Sequence, residues 1–405
     1  MRCDCADEAT RLPGNYAFMS NIFVLSQYVD ASQNSTGYYF SRLIEGLRGQ
    51  FVALDVIPNS PFFSRHNGAT YFSSVSNKNR LLRRVLEQIV VAFRFFLRVC
   101  HRLKKGDVLI TGTNPALMLL WIPLVKRVLG FRWCLIVHDV FPDNLVPANV
   151  LTRESVFYPV LNRIFSWVYG SADRLIVIGR DMQALLVAKT NNPGAIVYIP
   201  NWACGEEVYP MNKSDAAFIR ELGWEDKIVF QFFGNIGRLQ GIDLILNAIA
   251  LTENPDRAFL FIGGGAMVGK VQQFIATHPE RCIAYAGTLP LAKKNSGLAA
   301  CDVAIVSLET GMAGLGVPSK SYFTMAADKQ ILAIMDSDAE IASVVKDHRI
   351  GWHAEPVDPA KLAVLIDSIS NADIDRMKGR PRAVFQELYS EPLALTAWRG
   401  YREPT

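Results

Sequence analysis

The chain predicts an α/β protein built as two doubly wound domains in series, facing each other across a cleft. Three observations carry that prediction. First, 405 residues, half of them apolar and a fifth charged, suffice for two or three domains with sizeable cores. Second, short apolar runs at 22–26, 51–57, 107–111, 133–138, 174–178 and 195–199 alternate with amphipathic patterns, the rhythm of buried parallel strands joined by crossover helices. Third, Pro and Gly break both periodicities at Ile199-Pro200-Asn201-Trp202 and between Gly205 and Pro210. The rhythm then restarts with runs at 227–233, 258–262, 283–286, 303–307 and 330–335.

Composition excludes other classes. A chain this apolar offsets its ordering entropy by burial, so long disorder, collagen-like repeats and low-complexity segments are out. Residues 1–20 carry Asp4, Asp7, Glu8 and Arg11 without an apolar centre, which reads as a disordered extension and not a secretory signal. The longest uninterrupted apolar run, 116–125, has 10 residues, and a spanning helix needs about 20. No segment is expected to cross a bilayer. Seven scattered cysteines, with no Cys-x-x-Cys pair and no His at zinc spacing, point to a reducing, cytoplasmic setting without a metal site.

The net charge of +4 hides an asymmetry. Residues 1–200 hold 22 Lys or Arg against 13 Asp or Glu, and the remainder holds 20 against 25. The first half is therefore expected to meet something anionic.

Ligands of open parallel sheets bind beyond the carboxyl ends of the strands, so the loops there are where chemistry is sought. After the first strand, Thr36-Gly37 opens the helical stretch 38–47. Two readings stand: the free N–H groups hold an anion with Gly allowing close approach, or Thr36 is an N-cap beside a permissive neighbour. In the second domain, Gly234-Asn235-Ile236-Gly237-Arg238 lies between a strand and the helix 242–250. It reads as a phosphate cradle in which Arg238 offers a bidentate fork, or as a surface Arg beside a turn. Gly263-Gly264-Gly265 follows the next strand, but a dinucleotide fingerprint would need Gly where Val268 stands. That loop lets a ligand approach the backbone or is a tight turn. Asp336-Ser337-Asp338 and Asp373-Ile374-Asp375 fit capping better than metal binding, with Asp338 expected to cap the helix 339–346. His138 ends a strand beside Asp139, where it is a polar contact to a sugar, an acid–base group or a structural residue.

In this order and spacing, the Thr36-Gly37 loop, His138-Asp139-Val140-Phe141-Pro142-Asp143, Ile199-Pro200-Asn201, Gly234-Asn235-Ile236-Gly237, Gly263-Gly264-Gly265 and Gly316-Val317-Pro318-Ser319-Lys320 resemble the GT-B glycosyltransferases. The resemblance is to their retaining family-four branch, which builds exopolysaccharide, O-antigen and colanic-acid type surface polysaccharides, and it runs from about Asn21 to about Ser370. It implies two Rossmann-like domains: 21–205 for the acceptor, 206–387 for a nucleotide-diphosphate sugar, and a final helix, about 388–405, returning to the first. It also implies metal-independent transfer with retention, without a cofactor, in which the leaving diphosphate helps to deprotonate the acceptor hydroxyl. His138, Asp139, Arg238 and Lys320 are then the catalytic candidates, the two cations stabilising the diphosphate. Thr36, Gly37, Gly234, Asn235, Gly237 and the Gly263, Gly264, Gly265 loop are expected around the donor.

The chain departs from the family pattern at four positions. Two Glu residues eight positions apart are common there, and here those positions are Leu315 and Phe323. Glu309 or the Ser319-Lys320-Ser321 turn would stand in for them. Gln240 replaces a usual Lys and Asp328 a usual Gly.

The segment 79–105 holds eight Lys or Arg and one acid, Glu87. Leu82, Leu86, Ile89, Phe93, Phe96, Cys100 and Leu103 are expected as its apolar, sheet-packed stripe. Arg80, Arg84, Arg94, Arg98, Arg102 and Lys105 are expected to face out toward an anionic membrane surface. No nucleic-acid motif accompanies the charge. The polar stretch 58–77, with Phe62, Phe63, Tyr71 and Phe72, reads as an acceptor loop or as core packing. The leading function is sugar transfer to an undecaprenyl-type lipid-linked saccharide by an enzyme peripheral on the inner face of the cytoplasmic membrane. A catalytically silent nucleotide-sugar-binding protein and a nucleotide-sugar epimerase of the same fold are the alternatives.

Overall fold

The computed structural model describes residues 21–31, 34–47, 54–57, 65–66, 69–70, 81–190 and 192–400. The N-terminal extension, Arg80, the side chain of Arg84 and the aromatics of the 58–77 stretch lie outside the described residues.

Each half holds a six-stranded parallel sheet. The strands of the first half are β1 (Ile22–Leu25), β2 (Leu54–Ile57), the two-residue pair β3 (Arg65–His66) and β4 (Ala69–Thr70), β5 (Val108–Thr111), β6 (Arg132–Val137), β7 (Arg174–Val177) and β8 (Ile196–Tyr198). Apart from the β3–β4 pair they stand in the order β2-β1-β5-β6-β7-β8. The second half orders β11-β10-β9-β12-β13-β14, from β9 (Ile228–Phe233), β10 (Arg257–Ile262), β11 (Ile283–Tyr285), β12 (Val303–Ser307), β13 (Gln330–Ile334) and β14 (Gly351–Ala354). The central strands of both sheets are buried, mostly apolar runs because helices cover both faces, and the buried Gln231 inside β9 donates its side-chain amide to the Gly297 carbonyl at 2.8 Å. β14 escapes the sequence reading because Gly-Trp-His-Ala is neither alternating nor a β-branched run.

The helices of the first half are α1 (Ser35–Leu47), α2 (Leu81–Arg102), α3 (Met118–Leu129), α4 (Phe157–Gly170) and α5 (Arg180–Thr190). The connection from β1 to β2 runs one way across the sheet, whereas β2 to β5, β5 to β6, β6 to β7 and β7 to β8 run the other way. Right-handed crossovers therefore put α1 on one face and α2 to α5 on the opposite face. There α2 neighbours α3, α3 neighbours α4, and α4 neighbours α5.

The second half carries α6 (Ala217–Leu222), α7 (Ile242–Leu251), α8 (Val268–Thr277), α9 (Lys294–Ala299), α10 (Lys320–Ala326), α11 (Glu340–His348), α12 (Pro359–Ser368), α13 (Asn371–Met377) and α14 (Arg380–Leu388). After α14, Ala203 and Ser390 form a parallel bridge, and α15 (Glu391–Gly400) packs on α1 of the first half. Leu395 fills the space beside Gly46, and Ala394 and Trp398 are buried. One apolar cluster runs unbroken from the first sheet into β12, β13, α10, α11 and α14, so the halves share a core.

The face that α2 buries differs from the expected stripe. Val91, Ala92, Phe95 and Val99 pack inward, whereas Phe93 is 58% exposed and Ile89 48%; of the expected stripe, Leu103, just past the end of α2, is buried. Both stripes have helical spacing and similar apolarity, so periodicity alone does not choose between them. Lys105 lies beyond the end of α2. Among the described residues, no helix is long and apolar enough to cross a membrane.

Candidate functional site

In both sheets the strand order reverses at one point, between β1 and β5 in the first and between β9 and β12 in the second. Crevices at such points are where open α/β sheets hold ligands. The loops after β9 and β12 carry Gly234 to Arg238 and Glu309.

Gly234 follows β9, and Arg238–Gln240 forms a short 3-10 turn before α7. Arg238 is exposed, and its guanidinium has no ion-pair or hydrogen-bond partner among the described residues. Asn235 is exposed beside it. Gly241 caps α7 in the left-handed conformation, φ 58°. The Glu309 carboxylate lies 3.8 Å from where a Cβ on Gly241 would stand, and the Glu309 amide donates to the Leu239 carbonyl at 3.0 Å. Glu309 and Arg238 thus flank the same turn.

Gly263 and Gly265 serve the protein's own backbone. A Cβ at Gly263 would overlap the Gly234 carbonyl, and one at Gly265 the Ile236 carbonyl. The Ile236 amide donates to the Gly264 carbonyl at 2.8 Å. Their requirement is loop-on-loop packing, which fixes the shape of the 234–238 turn.

Lys320 begins α10 and reaches toward β9. Its Nζ is buried without a hydrogen-bond partner, 3.5 Å from the centre of the Phe232 ring, and its Cδ lies 3.8 Å from the Cβ position of Gly234. Burial pushes this ammonium down to about 7. The face of a ring offers a cation a weak site, so an anion arriving over Gly234 would be its first oxygen partner. Ser319 precedes α10, partly buried and making no side-chain cap bond. Ser321 is fully buried and donates to the Pro318 carbonyl at 2.7 Å, so its hydroxyl proton is held by the turn before α10.

Across the cleft, His138 follows β6. Burial lowers its imidazole to about 4 and raises the neighbouring Asp139 carboxyl to about 6. His138 is therefore neutral near pH 7, suited to a hydrogen bond and poorly suited to act as an acid. Gly316 of the second half sits 3.8 Å, measured from its Cβ position, from Asp139 Oδ1, and the Val140 amide donates to the Leu315 carbonyl at 3.2 Å. The His138-Asp139 end of one sheet and the 316–320 segment of the other are thus brought together. His138 and Asn201 also line a small cavity with Tyr39, Trp202 and Trp398.

Asn34, not Thr36, caps α1: its carbonyl accepts from Tyr38 at 3.0 Å and its side chain from Gly37 at 2.8 Å. The Gly37 N–H is therefore occupied, and a Cβ there would collide with the Asp30 carbonyl. Close packing, not anion binding, explains Gly37. Asp143 is buried in an ion pair with Lys189 at 2.6 Å and accepts from Tyr158. Asp338 does not cap α11, whose first amide donates to Asp181 at 3.0 Å, and Asp336 accepts from Gly311 at 2.8 Å. Asp373 forms the capping box of α13 with Ser370.

One contact escaped the sequence reading. Lys294 lies 3.4 Å over the Phe323 ring and 5.1 Å over Tyr38 of the first half, and burial lowers it to about 8. Phe323, at a position where the resembled family carries Glu, is part of that contact. Asp328, where Gly is usual, takes the left-handed φ of 57° and accepts from Gly379 at 2.9 Å. Nothing in the spacing of Lys294, Tyr38 and Phe323 announces that they meet.

No family model matches the chain. Over 395 residues it is 51% identical to the probable glycosyltransferase WbjE of Pseudomonas aeruginosa, covering 95% of this chain and 98% of that protein. Among solved structures, the sucrose-phosphate synthase of Thermosynechococcus elongatus matches with TM-score 0.74 at 17% identity, over 94% of this chain and 98% of the other. Anabaena Alr3699/HepE in complex with UDP-glucose matches with TM-score 0.67 at 14% identity, over the same shares, 94% and 98%. At these identities the two structures speak for the fold, two Rossmann-like halves of the GT-B kind.

Proposed function

Belonging to the family of glycosyltransferases that includes WbjE, and having the GT-B fold, the chain carries sugar-transfer chemistry, and we propose that it moves a sugar from a nucleotide-diphosphate donor to a lipid-linked saccharide, with retention, in surface polysaccharide synthesis. The observation that carries this reading is the Lys320 ammonium, buried without an oxygen partner beside Gly234, with the unpaired Arg238 on the same turn. Two cations with unsatisfied donors at the edge of a switch-point crevice suit a diphosphate, whose charge grows as the bond to the sugar breaks.

In the proposed step the acceptor hydroxyl attacks the anomeric carbon on the face from which the diphosphate departs. The bond to the sugar forms as the bond to the phosphate oxygen breaks, and the hydroxyl proton passes to that oxygen. Arg238 and Lys320 stabilise the departing charge. Neutral His138, at the mouth of the first half, holds the transferred sugar or the acceptor. Glu309 stands where a ribose hydroxyl would meet a carboxylate beside the α7 N-terminus. No step calls on a protein-bound metal. A prenyl-linked acceptor is confined to a bilayer, so the enzyme works at an anionic membrane surface, with Arg94, Arg98 and Arg102 of α2 toward it.

The test is incubation of the purified chain with nucleotide sugars and a bacterial membrane extract, following release of nucleotide diphosphate. Release that depends on acceptor supports transfer, and NMR of the product's anomeric proton reads retention or inversion. Arg238→Ala should cut turnover by roughly 2 to 4 kcal/mol of transition-state stabilisation. Release without acceptor, or none with any donor, would favour the epimerase or the silent binding protein.

A further inference from the structure

Fourteen of the 22 exposed large apolar side chains among the described residues lie between Ile89 and Trp167, and thirteen of them lie on or next to α2, α3 and α4. Exposed apolar residues scattered singly are ordinary, but a contiguous set marks an interaction surface. On α2 the outward set is Ile89, Val90, Phe93 and Leu97. On α3 and the residue before it, the set is Leu117, Leu120, Leu124 and Val128, the last 83% exposed. On α4 and the residue before it, the set is Val156, Phe157, Val160, Ile164 and Trp167. The α3 and α4 sets recur at three- and four-residue spacing, so each helix has a second apolar stripe facing away from the sheet.

Handedness places the three helices side by side, and Phe96 of α2 meets Trp121 of α3 edge to face at 5.5 Å. The three stripes therefore form one face. Helices of this fold begin at the carboxyl edge of the sheet, so Leu117, Val156 and Phe157 stand on the cleft side of it.

We infer that the outer face of α2, α3 and α4 inserts into the headgroup and upper acyl region of an anionic phospholipid bilayer, so that the membrane contact is an apolar platform of three helices and not one basic helix. The inference deepens the membrane-surface reading above and rests on it.

Charge decides between possible occupants. Between 88 and 170 the chain has ten Lys or Arg. Arg94, Arg98, Arg127 and Arg163 are exposed among the apolar stripes, while Asp107 and Asp143 are buried and Glu154 is the exposed acid. A second copy docking through a two-fold axis would set these cations against themselves. An anionic bilayer satisfies them while accepting the apolar side chains, the arrangement of helices lying in a membrane interface. Trp167, about half exposed, suits the headgroup boundary.

The experiment uses the full chain with phosphatidylethanolamine–phosphatidylglycerol vesicles, read by co-sedimentation and by tryptophan quenching from brominated acyl chains. Wild type should pellet and be quenched. Trp167→Phe should still pellet with less quenching. A Leu124→Ser, Val128→Ser, Phe157→Ser, Val160→Ser variant should partition at least tenfold more weakly, with its melting temperature and donor binding held. Quenching of the wild-type chain needs no substitution, so it stands even if that variant folds poorly. Vesicle binding without quenching, abolished by neutralising Arg94, Arg98 and Arg102 and untouched by the four serines, would overturn insertion while leaving the surface reading intact. No vesicle binding would overturn both. A wild-type dimer converted to monomer by the serines, with no vesicle binding, would assign the face to self-association and overturn the inference.

Discussion

The carboxylate of Asp181, in the first turn of α5, accepts the Glu340 amide at 3.0 Å, and the carboxylate of Glu340, in the first turn of α11, accepts the Arg180 amide at 2.7 Å. Each half of the protein thus caps a helix of the other, where free N–H groups and the helix dipole favour a negative charge. Asp181 also accepts from Gly314 at 2.9 Å, and Tyr198 donates to Glu340 at 3.0 Å. The segment leading to Gly316 and Lys320 is therefore tied to the first half.

Asp181→Ala should destabilise the protein by about 1 to 3 kcal/mol, since two amides from the other half lose their acceptor. Asp181→Asn, which keeps an acceptor oxygen, should cost less. Denaturant titration of Asp181→Ala, Glu340→Ala and the double variant measures the coupling. Additivity within about 0.5 kcal/mol would mean that the two caps act independently.

Lys320→Met should lower turnover sharply and raise the melting temperature. The folded-state value near 7 lies below the usual lysine value of about 10.4, so the unfolded chain holds a proton that the folded chain releases between those values. Wild-type stability therefore rises with pH through that window. Met buries no charge, so its gain should be larger at pH 6 than at pH 9. A melting temperature that falls equally at both would show that the ammonium is well partnered.

Affinity for a nucleotide sugar should fall as pH rises above about 7, because the diphosphate needs the protonated Lys320 and binding must keep that proton in place. The decline should approach tenfold per pH unit and be absent in Lys320→Met. Calorimetry from pH 6 to 8.5 measures it, and a flat wild-type profile would place the diphosphate away from Lys320.

His138→Ala should reduce turnover while nucleotide affinity holds, since the residue lies on the first half and is neutral, its value lowered to about 4 by burial. No activity change between pH 6 and 8 should trace to its titration. Loss of nucleotide binding, or a melting temperature many degrees lower, would make it a donor contact or a core residue.

Gly263→Ala should destabilise the protein by about 2 kcal/mol or more, because its φ of 132° and the Gly234 carbonyl both oppose a Cβ. Gly264→Ala meets only Thr288 Oγ1 at 3.3 Å and should be tolerated. Equal melting temperatures for the two would contradict the packing account of this loop.

The candidate loops were legible because each is a local signature, a Gly or His at the end of an apolar run. Gly234, Arg238, His138 and Lys320 all fall at the carboxyl edges or domain faces where such runs point. What the signatures did not carry was occupancy. Gly37 and Ser321 read as donor contacts from the sequence, and in the fold Asn34 accepts from the Gly37 amide and Pro318 from the Ser321 hydroxyl. Lys294 reads as an ordinary helix lysine until Phe323 and Tyr38, from two different domains, close around it.

Strand runs, helix periods and the Pro–Gly break near residue 200 by themselves determined two doubly wound α/β halves, because each depends on residues within a few positions of one another. Tertiary structure alone decided which of two apolar stripes α2 buries and which backbone the Gly263 loop must clear. It also decided that Asp181 caps a helix 159 residues away. Those outcomes are set by contacts between distant segments, where equally apolar faces and equally placed carboxylates compete and only the assembled packing selects one.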